Sequence, residues 1–250
     1  MLRENAWKKY DSEKLQEMNS FCDKYKNFIS ECKTERECVT FAVEEIKKAG
    51  YVDLNEVISS GRELKSQDKV YVNYMGKALA MFQIGDVPME KGMNLLGAHV
   101  DSPRLDLKQD PLYEDSDLAL LDTHYYGGIK KYQWVALPLA LHGVVVKKDG
   151  SVQNVVIGED ENDPVLGISD LLIHLSQNQL EKTGSKVVEG EDLNILVGSI
   201  PLEGEEKEPV KAQIVKLLEE KYGITEEDFS SAELEAVPAG KARDYGLDRS

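Results

Sequence analysis

The sequence contains little cysteine. Cys22, Cys32 and Cys38 are the three cysteines among 250 residues, and they fall within one short region. An odd number excludes a complete disulfide framework, and their spacing matches no common zinc-binding pattern. The amino-terminal residues also lack the basic start and apolar stretch of a secretory signal peptide. We therefore expect a reducing, cytoplasmic setting.

The sequence also lacks an excess of positive charge. It has 30 lysine and arginine residues against 46 aspartate and glutamate residues, which gives a formal net charge of −16. Binding to nucleic acid or to an anionic membrane needs clustered cations, so this charge balance argues against both kinds of partner. No apolar run reaches the length of a membrane span.

Several common catalytic motifs are absent. We find no phosphate-binding glycine loop, no dinucleotide fingerprint and no serine nucleophile elbow. Cys22 and Cys38 lie on apolar faces of expected helices, which makes them poor nucleophile candidates. With so many acidic residues, a glycosidase-like carboxylate pair cannot be chosen by position.

The residues that are present predict a mixed α/β fold. Apolar side chains recur at helical spacing over residues 15–29, and Thr34 to Glu37 matches a capping box that begins a second helix. Gly50 provides the stop signal of that helix. Residues 69–75 and 77–84 resemble two strands joined around Gly76.

The pattern changes after Pro103. A second, β-rich region with two helices is predicted from 105 to 235. Its expected strands cover residues 105–108, 118–124, 137–147, 152–157 and 193–200, and its expected helices cover 169–182, capped by Ser169, and 209–222, ended by Gly223.

Residues 93–100 are predicted to form a buried strand that ends near Pro103. Because side chains two apart share a face of a strand, His99 and Asp101 are expected to point the same way. One interpretation is a zinc-binding imidazole supported by a carboxylate. The other is a histidine that hydrogen-bonds an aspartate for purely structural reasons.

Two further histidines have weaker patterns. His174 lies on the predicted helix 169–182, where a partly buried structural histidine is the simpler interpretation. His124 precedes Gly127 and Gly128, which suit a sharp turn, a pocket or an interface. His142 falls within a strand pattern and gives no functional signal.

Four segments together resemble the M18 metallo-aminopeptidases, the aspartyl aminopeptidase family, and most closely its bacterial branch. They are Gly97-Ala98-His99-Val100-Asp101-Ser102-Pro103-Arg104-Leu105, His124-Tyr125-Tyr126-Gly127-Gly128-Ile129, Leu172-Ile173-His174-Leu175 and Tyr245-Gly246-Leu247-Asp248-Arg249-Ser250. Members of that family are considerably longer, so the chain resembles an amino-terminal portion.

The resemblance implies a fold of two parts. Residues 1–104 would begin a zinc-peptidase catalytic α/β domain with helices on a mixed sheet. Residues 105–235 would form an inserted β-rich domain for dimerisation and substrate contact, and residues 236–250 would return to the catalytic domain. The family assembles into large homo-oligomers, which implies self-association.

The resemblance also implies a chemistry. His99 would bind one of two zinc ions expected in the complete enzyme, and Asp101 would support that ligand in catalysis. His174 would reach a neighbouring subunit's active site and contact the peptide substrate. The remaining ligands and a general-base glutamate would lie beyond residue 250, so this chain alone is expected to be inactive. The alternatives are a non-catalytic relative that acts through assembly or interaction, and a carboxylate-based hydrolase.

Overall fold

A computed structural model describes residues 4–249 as a mixed α/β protein, which confirms the predicted fold class. The helices are α1 (Ser12–Glu31), α2 (Glu35–Lys48), α3 (Leu54–Ser59), α4 (Gln177–Leu180) and α5 (Pro209–Tyr222). The strands are β1 (Val52–Asp53), β2 (Lys69–Tyr74), β3 (Ala78–Gln83), β4 (Arg104–Asp115), β5 (Leu118–Tyr126), β6 (Leu139–Val146), β7 (Val152–Ile157), β8 (Ile195–Gly198) and β9 (Ala232–Pro238).

The two amino-terminal helices form where the sequence predicts them. Thr34 Oγ1 accepts a hydrogen bond from the backbone N–H of Glu37, and the Glu37 carboxylate accepts one from the backbone N–H of Thr34. This capping box satisfies donors that the first turn of α2 cannot pair internally. The rings of Phe28 and Phe41 pack with their centroids 5.1 Å apart and join α1 to α2.

The predicted hairpin is also confirmed. β2 and β3 pair antiparallel, and β1 adds to β2 in parallel to complete a small three-stranded sheet. The tight turn uses Met75 and Gly76, both with positive φ angles of 56° and 71°. A hairpin with this short connection requires that backbone conformation, which glycine adopts without steric cost.

The larger sheet has six strands in the order β7-β6-β9-β4-β5-β8, and every neighbouring pair is antiparallel. The five strands predicted after Pro103 are all present, although their bounds differ. Strand β9, which the sequence patterns did not predict, lies between β6 and β4 near the middle of the sheet. Residues 232–238 therefore belong to this sheet, because they pair with β6 on one side and with β4 on the other.

Helix α5 covers one face of this sheet. It ends at Gly223, which has a left-handed φ of 61° as the predicted stop signal requires. Val210, Ile214 and Leu218 of the helix pack into an apolar core with side chains of the sheet. The main buried members from the sheet are Leu105, Leu121, Leu139, Val145, Val155, Ile195 and Leu234. Among residues 4–249, no helix is both long and apolar enough to cross a bilayer.

Two predicted elements are wrong. Residues 93–100 form no strand, and Leu95 and Leu96 are 86% and 97% exposed. An apolar strand sequence needs a neighbouring strand to satisfy its backbone groups, and none of the described residues supplies one. The predicted helix 169–182 is reduced to a 3₁₀ turn at Ile173–Leu175 and the short α4. An apolar helical face without a surface to pack against gains little from helix formation.

Candidate metal and substrate site

His99 and Asp101 lie together although the strand predicted to carry them is absent. The Nδ1 atom of His99 donates to the backbone carbonyl of Asp101 at 2.9 Å and lies 3.4 Å from its Oδ1. The His99 side chain is 83% exposed. A groove of about 720 Å³ borders this pair between helices α1 and α2 and residues 237–242.

The imidazole of His99 is suited to one bond to zinc. Because Nδ1 donates to the backbone carbonyl of Asp101 and lies 3.4 Å from its carboxylate, the proton is held on that nitrogen, and Nε2 presents its lone pair. Nε2 makes no hydrogen bond with any residue between 4 and 249. A catalytic zinc takes three protein ligands, so His99 can supply only one member of the set.

The end of β5 supports Asp101 from the other side. Tyr126 Oη donates to Asp101 Oδ2 at 2.8 Å. Gly127, with a φ of 78°, lies beside Pro103, and a Cβ at Gly127 would make ordinary van der Waals contact with that proline at 3.5 Å. Residues 101–103 are therefore packed against the larger sheet even though residues 94–100 are not.

A buried ionic cluster lies behind Tyr126. The Arg104 guanidinium lies 4.2 Å from the Tyr126 ring centroid, and its Nη1 is 3.1 Å from Glu35 Oε2. Its Nε is 2.7 Å from Asp106 and 3.3 Å from Glu235. Burial and the nearby charge of Glu35 outweigh the attraction of Arg104 and raise the pKa of Glu235 to about 8.

Three carboxylates of this cluster are close enough together to bind a metal ion, but lysine and arginine side chains already pair with them. Single oxygens of Glu35, Glu233 and Glu235 all lie within 4.8 Å of one another. Lys77 pairs with Glu35 at 2.9 Å and also with Glu233, which pairs with Arg36 as well. These cations and Arg104 supply the neutralising charge, so we interpret the cluster as a structural ion network.

A second buried network surrounds His142, a residue whose strand pattern carries no functional signal. Its Nδ1 and Nε2 lie 2.7 Å from Glu37 and 3.1 Å from Glu159. Lys33 pairs with Glu159 and also donates to the carbonyls of Pro238 and Gly240 at 2.9 and 2.8 Å. The network therefore fastens the start of α2 to β6 and to the segment that follows β9.

The remaining predicted residues lie apart from this pair. His174 occupies the exposed 3₁₀ turn, and it makes no hydrogen bond with His99 or Asp101 among the described residues. Leu172, Ile173 and Leu175 around it are 72%, 66% and 70% exposed. His124 is exposed near the end of β5 and stacks on Tyr125 at a centroid distance of 5.6 Å.

Sequence reasoning missed most of the ionic side chains. The alternation of Glu233, Leu234 and Glu235 is the pattern of a strand with one polar face, and it could have indicated β9. No sequence pattern links Glu35 to Arg104 or Glu37 to His142, because 69 and 105 residues separate the members of each pair. These contacts exist only through the tertiary fold.

Comparison with protein families matches residues 28–250 to the model described as aminopeptidase I zinc metalloprotease (M18). A probable M18 family aminopeptidase 1 of Clostridium acetobutylicum is 65% identical over 98% of this chain. The chain covers 53% of that relative and thus spans about half the length of the curated relatives it matches.

Solved structures give the same similarity. The crystal structure of an M18 family aminopeptidase from Thermotoga maritima matches with a TM-score of 0.91 at 44% identity and covers all of this chain, which covers 53% of that one. The mApe1 dodecamer of S. cerevisiae matches with a TM-score of 0.61 at 18% identity over 92% of this chain, which covers 50% of it. At that identity the similarity concerns the fold alone.

Proposed function

The chain belongs to the M18 family of zinc metalloproteases, and from that premise we propose that the protein containing it releases amino-terminal residues from peptides with zinc-activated water. The observation that carries this proposal is the arrangement of His99 and Asp101. Their geometry leaves Nε2 of His99 directed away from its partner, as a zinc ligand requires.

Each of the three site residues has a separate task in this proposal. His99 binds the metal through Nε2, and Asp101 holds the imidazole in the required tautomer and orientation. His174, on its exposed turn, contacts the substrate in the active site of a neighbouring subunit. Zinc, when bound, supplies a water activated near neutral pH and polarises the scissile carbonyl. Two ions are expected in the complete enzyme.

We propose that the 250-residue polypeptide by itself does not turn over substrate, because His99 provides one ligand of a site that needs at least three. The test is to purify this polypeptide, measure its zinc by mass spectrometry and assay an aminoacyl reporter peptide. No turnover is expected. Turnover with stoichiometric zinc would contradict the proposed inactivity.

The same assay on the polypeptide of the complete reading frame tests the activity itself. His99→Ala should lower zinc content and turnover together, whereas His124→Ala, a matched exposed histidine, should change neither. Activity that survives exhaustive chelation would instead favour a carboxylate-based hydrolase. An intact mass of the purified protein, compared with the reading frame, identifies which polypeptide is being assayed.

We also propose self-association through the region around His174. The exposed Leu172, Ile173 and Leu175 form an apolar surface next to that histidine, and burying such a surface favours association. This surface also supports the alternative function, a non-catalytic relative that acts through assembly. Ile173→Asp should weaken self-association in sedimentation experiments, and an unchanged oligomer would contradict this interface.

The remaining proposals concern domain organisation, cellular location and partners. We propose that residues 1–104 and 236–250 belong to the catalytic part and that 105–235 form the insertion, with strand β9 crossing the second boundary because its residues 236–238 still pair in the larger sheet. Limited proteolysis can test these boundaries. A reducing cytoplasmic compartment is supported by Cys22, Cys32 and Cys38, all of which are free thiols. The acidic charge supports the absence of nucleic-acid and membrane partners.

A further inference from the structure

The carboxylate of Asp101 has a different neighbour on each oxygen. Oδ1 lies 3.4 Å from Nδ1 of His99, while Oδ2 accepts the hydrogen bond from Tyr126 Oη at 2.8 Å. We propose that Tyr126 is a positioning residue, which orients Asp101 toward His99 through this hydrogen bond. The inference rests on the proposed role of Asp101 and adds a residue to which that proposal gives no task.

The ring of Tyr126 is itself held in place. Tyr126 and Arg104 are directly opposed partners in the antiparallel pairing of β5 with β4. The Arg104 guanidinium lies 4.2 Å from the ring centroid, a distance at which the cation attracts the π face. Arg104 is only 6% exposed and is anchored by Glu35 and Asp106. The hydroxyl of Tyr126 is therefore presented from a fixed strand end.

The contact between Gly127 and Pro103 also holds Asp101 close to the end of β5. A Cβ at Gly127 would lie 3.5 Å from both Cα and Cγ of Pro103, and its φ of 78° is one that other residues rarely adopt. Residues 101–103 thus rest against the end of β5. The hydrogen bond from Tyr126 to Asp101 therefore joins two segments that are already in contact through Gly127 and Pro103.

The physical consequence concerns the freedom of the Asp101 side chain. This side chain is 35% exposed, so without a donor on Oδ2 it can rotate toward water and leave the imidazole of His99. A donor on a rigid strand selects the rotamer that faces the histidine. Removing the direct partner of a metal ligand lowers metal affinity by about 10-fold or more in known zinc sites. Tyr126 acts one step further out, and the backbone carbonyl of Asp101 still accepts from Nδ1, so its loss should cost less than the loss of the Asp101 carboxylate.

The test uses the polypeptide of the complete reading frame and the variant Tyr126→Phe, which removes one oxygen and keeps the ring. Zinc affinity is measured by competition with a chelator, and kcat and KM are measured on the zinc-loaded protein. We expect zinc binding to weaken by about 3-fold, less than in Asp101→Asn, and kcat to fall, with KM and the thermal unfolding midpoint nearly unchanged. Tyr125→Phe is the control, because its hydroxyl makes no hydrogen bond among the described residues, and it should match the wild type.

A double-mutant cycle separates positioning from a general structural effect. If Tyr126 acts through Asp101, Tyr126→Phe should cost little more zinc affinity in an Asp101→Ala background, which removes both carboxylate oxygens. Fully additive losses would overturn the inference. It is also overturned if Asp101→Asn weakens zinc binding while Tyr126→Phe does not. If Asp101→Asn itself leaves zinc affinity and kinetics unchanged, the proposed role of Asp101 is wrong, which is a different result.

Discussion

The imidazole of His142 lies 2.7 Å from the Glu37 carboxylate through Nδ1, and this contact joins strand β6 to the first turn of helix α2. Glu159 faces the other ring nitrogen at 3.1 Å. An imidazole with a carboxylate at each nitrogen can donate to both only when it carries a positive charge. The two carboxylates therefore favour the cationic form of His142, which connects three parts of the chain.

Stability should depend on the protonation of His142. Burial disfavours its charged form, but hydrogen bonds and charge from Glu37 and Glu159 outweigh burial and raise the pKa of His142. A raised pKa contributes stability that is complete below the ordinary histidine value of about 6.5 and is lost as pH rises through the raised value. Urea unfolding of this chain from pH 6 to 9 should show that loss.

The variant His142→Leu checks the same network. It leaves Glu37 and Glu159 without their shared cation, which should lower the unfolding free energy by about 3 kcal/mol at pH 6. The variant should lack the part of the stability loss above pH 6.5 that comes from deprotonation of His142. His124→Leu alters an exposed histidine and serves as the control. Equal pH dependence in His142→Leu and the wild type would contradict the cation assignment.

Glu235 should give a second pH dependence of stability, which begins at lower pH and overlaps that of His142. Its pKa is raised to about 8, chiefly by burial and by the charge of Glu35, so the folded state keeps a proton that the unfolded state releases near its ordinary value. Its contribution is complete below that ordinary value and is lost as pH rises toward 8 and above. Glu235→Gln, which mimics the protonated acid, should flatten this decline in urea unfolding measurements.

Glu233 provides a matched control of opposite sign. Burial disfavours its charged form, but hydrogen bonds and charge from Lys77 and Arg36 outweigh burial and lower its pKa. It contributes stability above its ordinary pKa that is lost as pH falls through the lowered value. Glu233→Gln should therefore destabilise the protein at pH 7. A stabilising Glu233→Gln, or a destabilising Glu235→Gln at pH 9, would contradict these assignments.

Gly143 should tolerate no side chain. A Cβ at this position would lie 2.0 Å from the Glu233 carbonyl oxygen, and the φ of 145° is itself unfavourable for other residues. Gly143→Ala must therefore separate β6 from β9 in the middle of the sheet, at a cost of about 3 kcal/mol or more. Gly184→Ala has open space around it and should change the midpoint of urea denaturation little.

Leu96 should be replaceable in this chain. Because its side chain is 97% exposed, Leu96→Glu should change the unfolding free energy by no more than about 0.5 kcal/mol. Leu105→Glu, at a fully buried leucine in β4, is the contrasting variant and should prevent folding. In a polypeptide as long as the relatives, Leu96→Glu should become destabilising if the added residues pair with 93–100. Equal tolerance in both polypeptides would contradict that pairing.

The sequence predicted the elements whose signals are local. The capping box at Thr34, the turn at Gly76 and the helix ended by Gly223 all involve residues within a few positions of one another. Hydrogen bonds and φ angles at these positions are decided by the chain itself. The motif around His99 also identified the family, and the comparisons confirm it.

Tertiary structure decided the elements whose stability depends on distant partners. Residues 93–100 have a strand sequence, yet a strand forms only where a neighbour pairs with its backbone, and residues 4–249 contain none for it. The raised pKa of His142 depends on carboxylates that folding brings close, and the raised pKa of Glu235 depends on burial and then on the charge of Glu35. Charge interactions decay with spatial distance, not with separation along the chain. The sequence alone determined the family and singled out His99 and Asp101 as candidates, and only the fold decided that Asp101 faces Tyr126 on one side and His99 on the other.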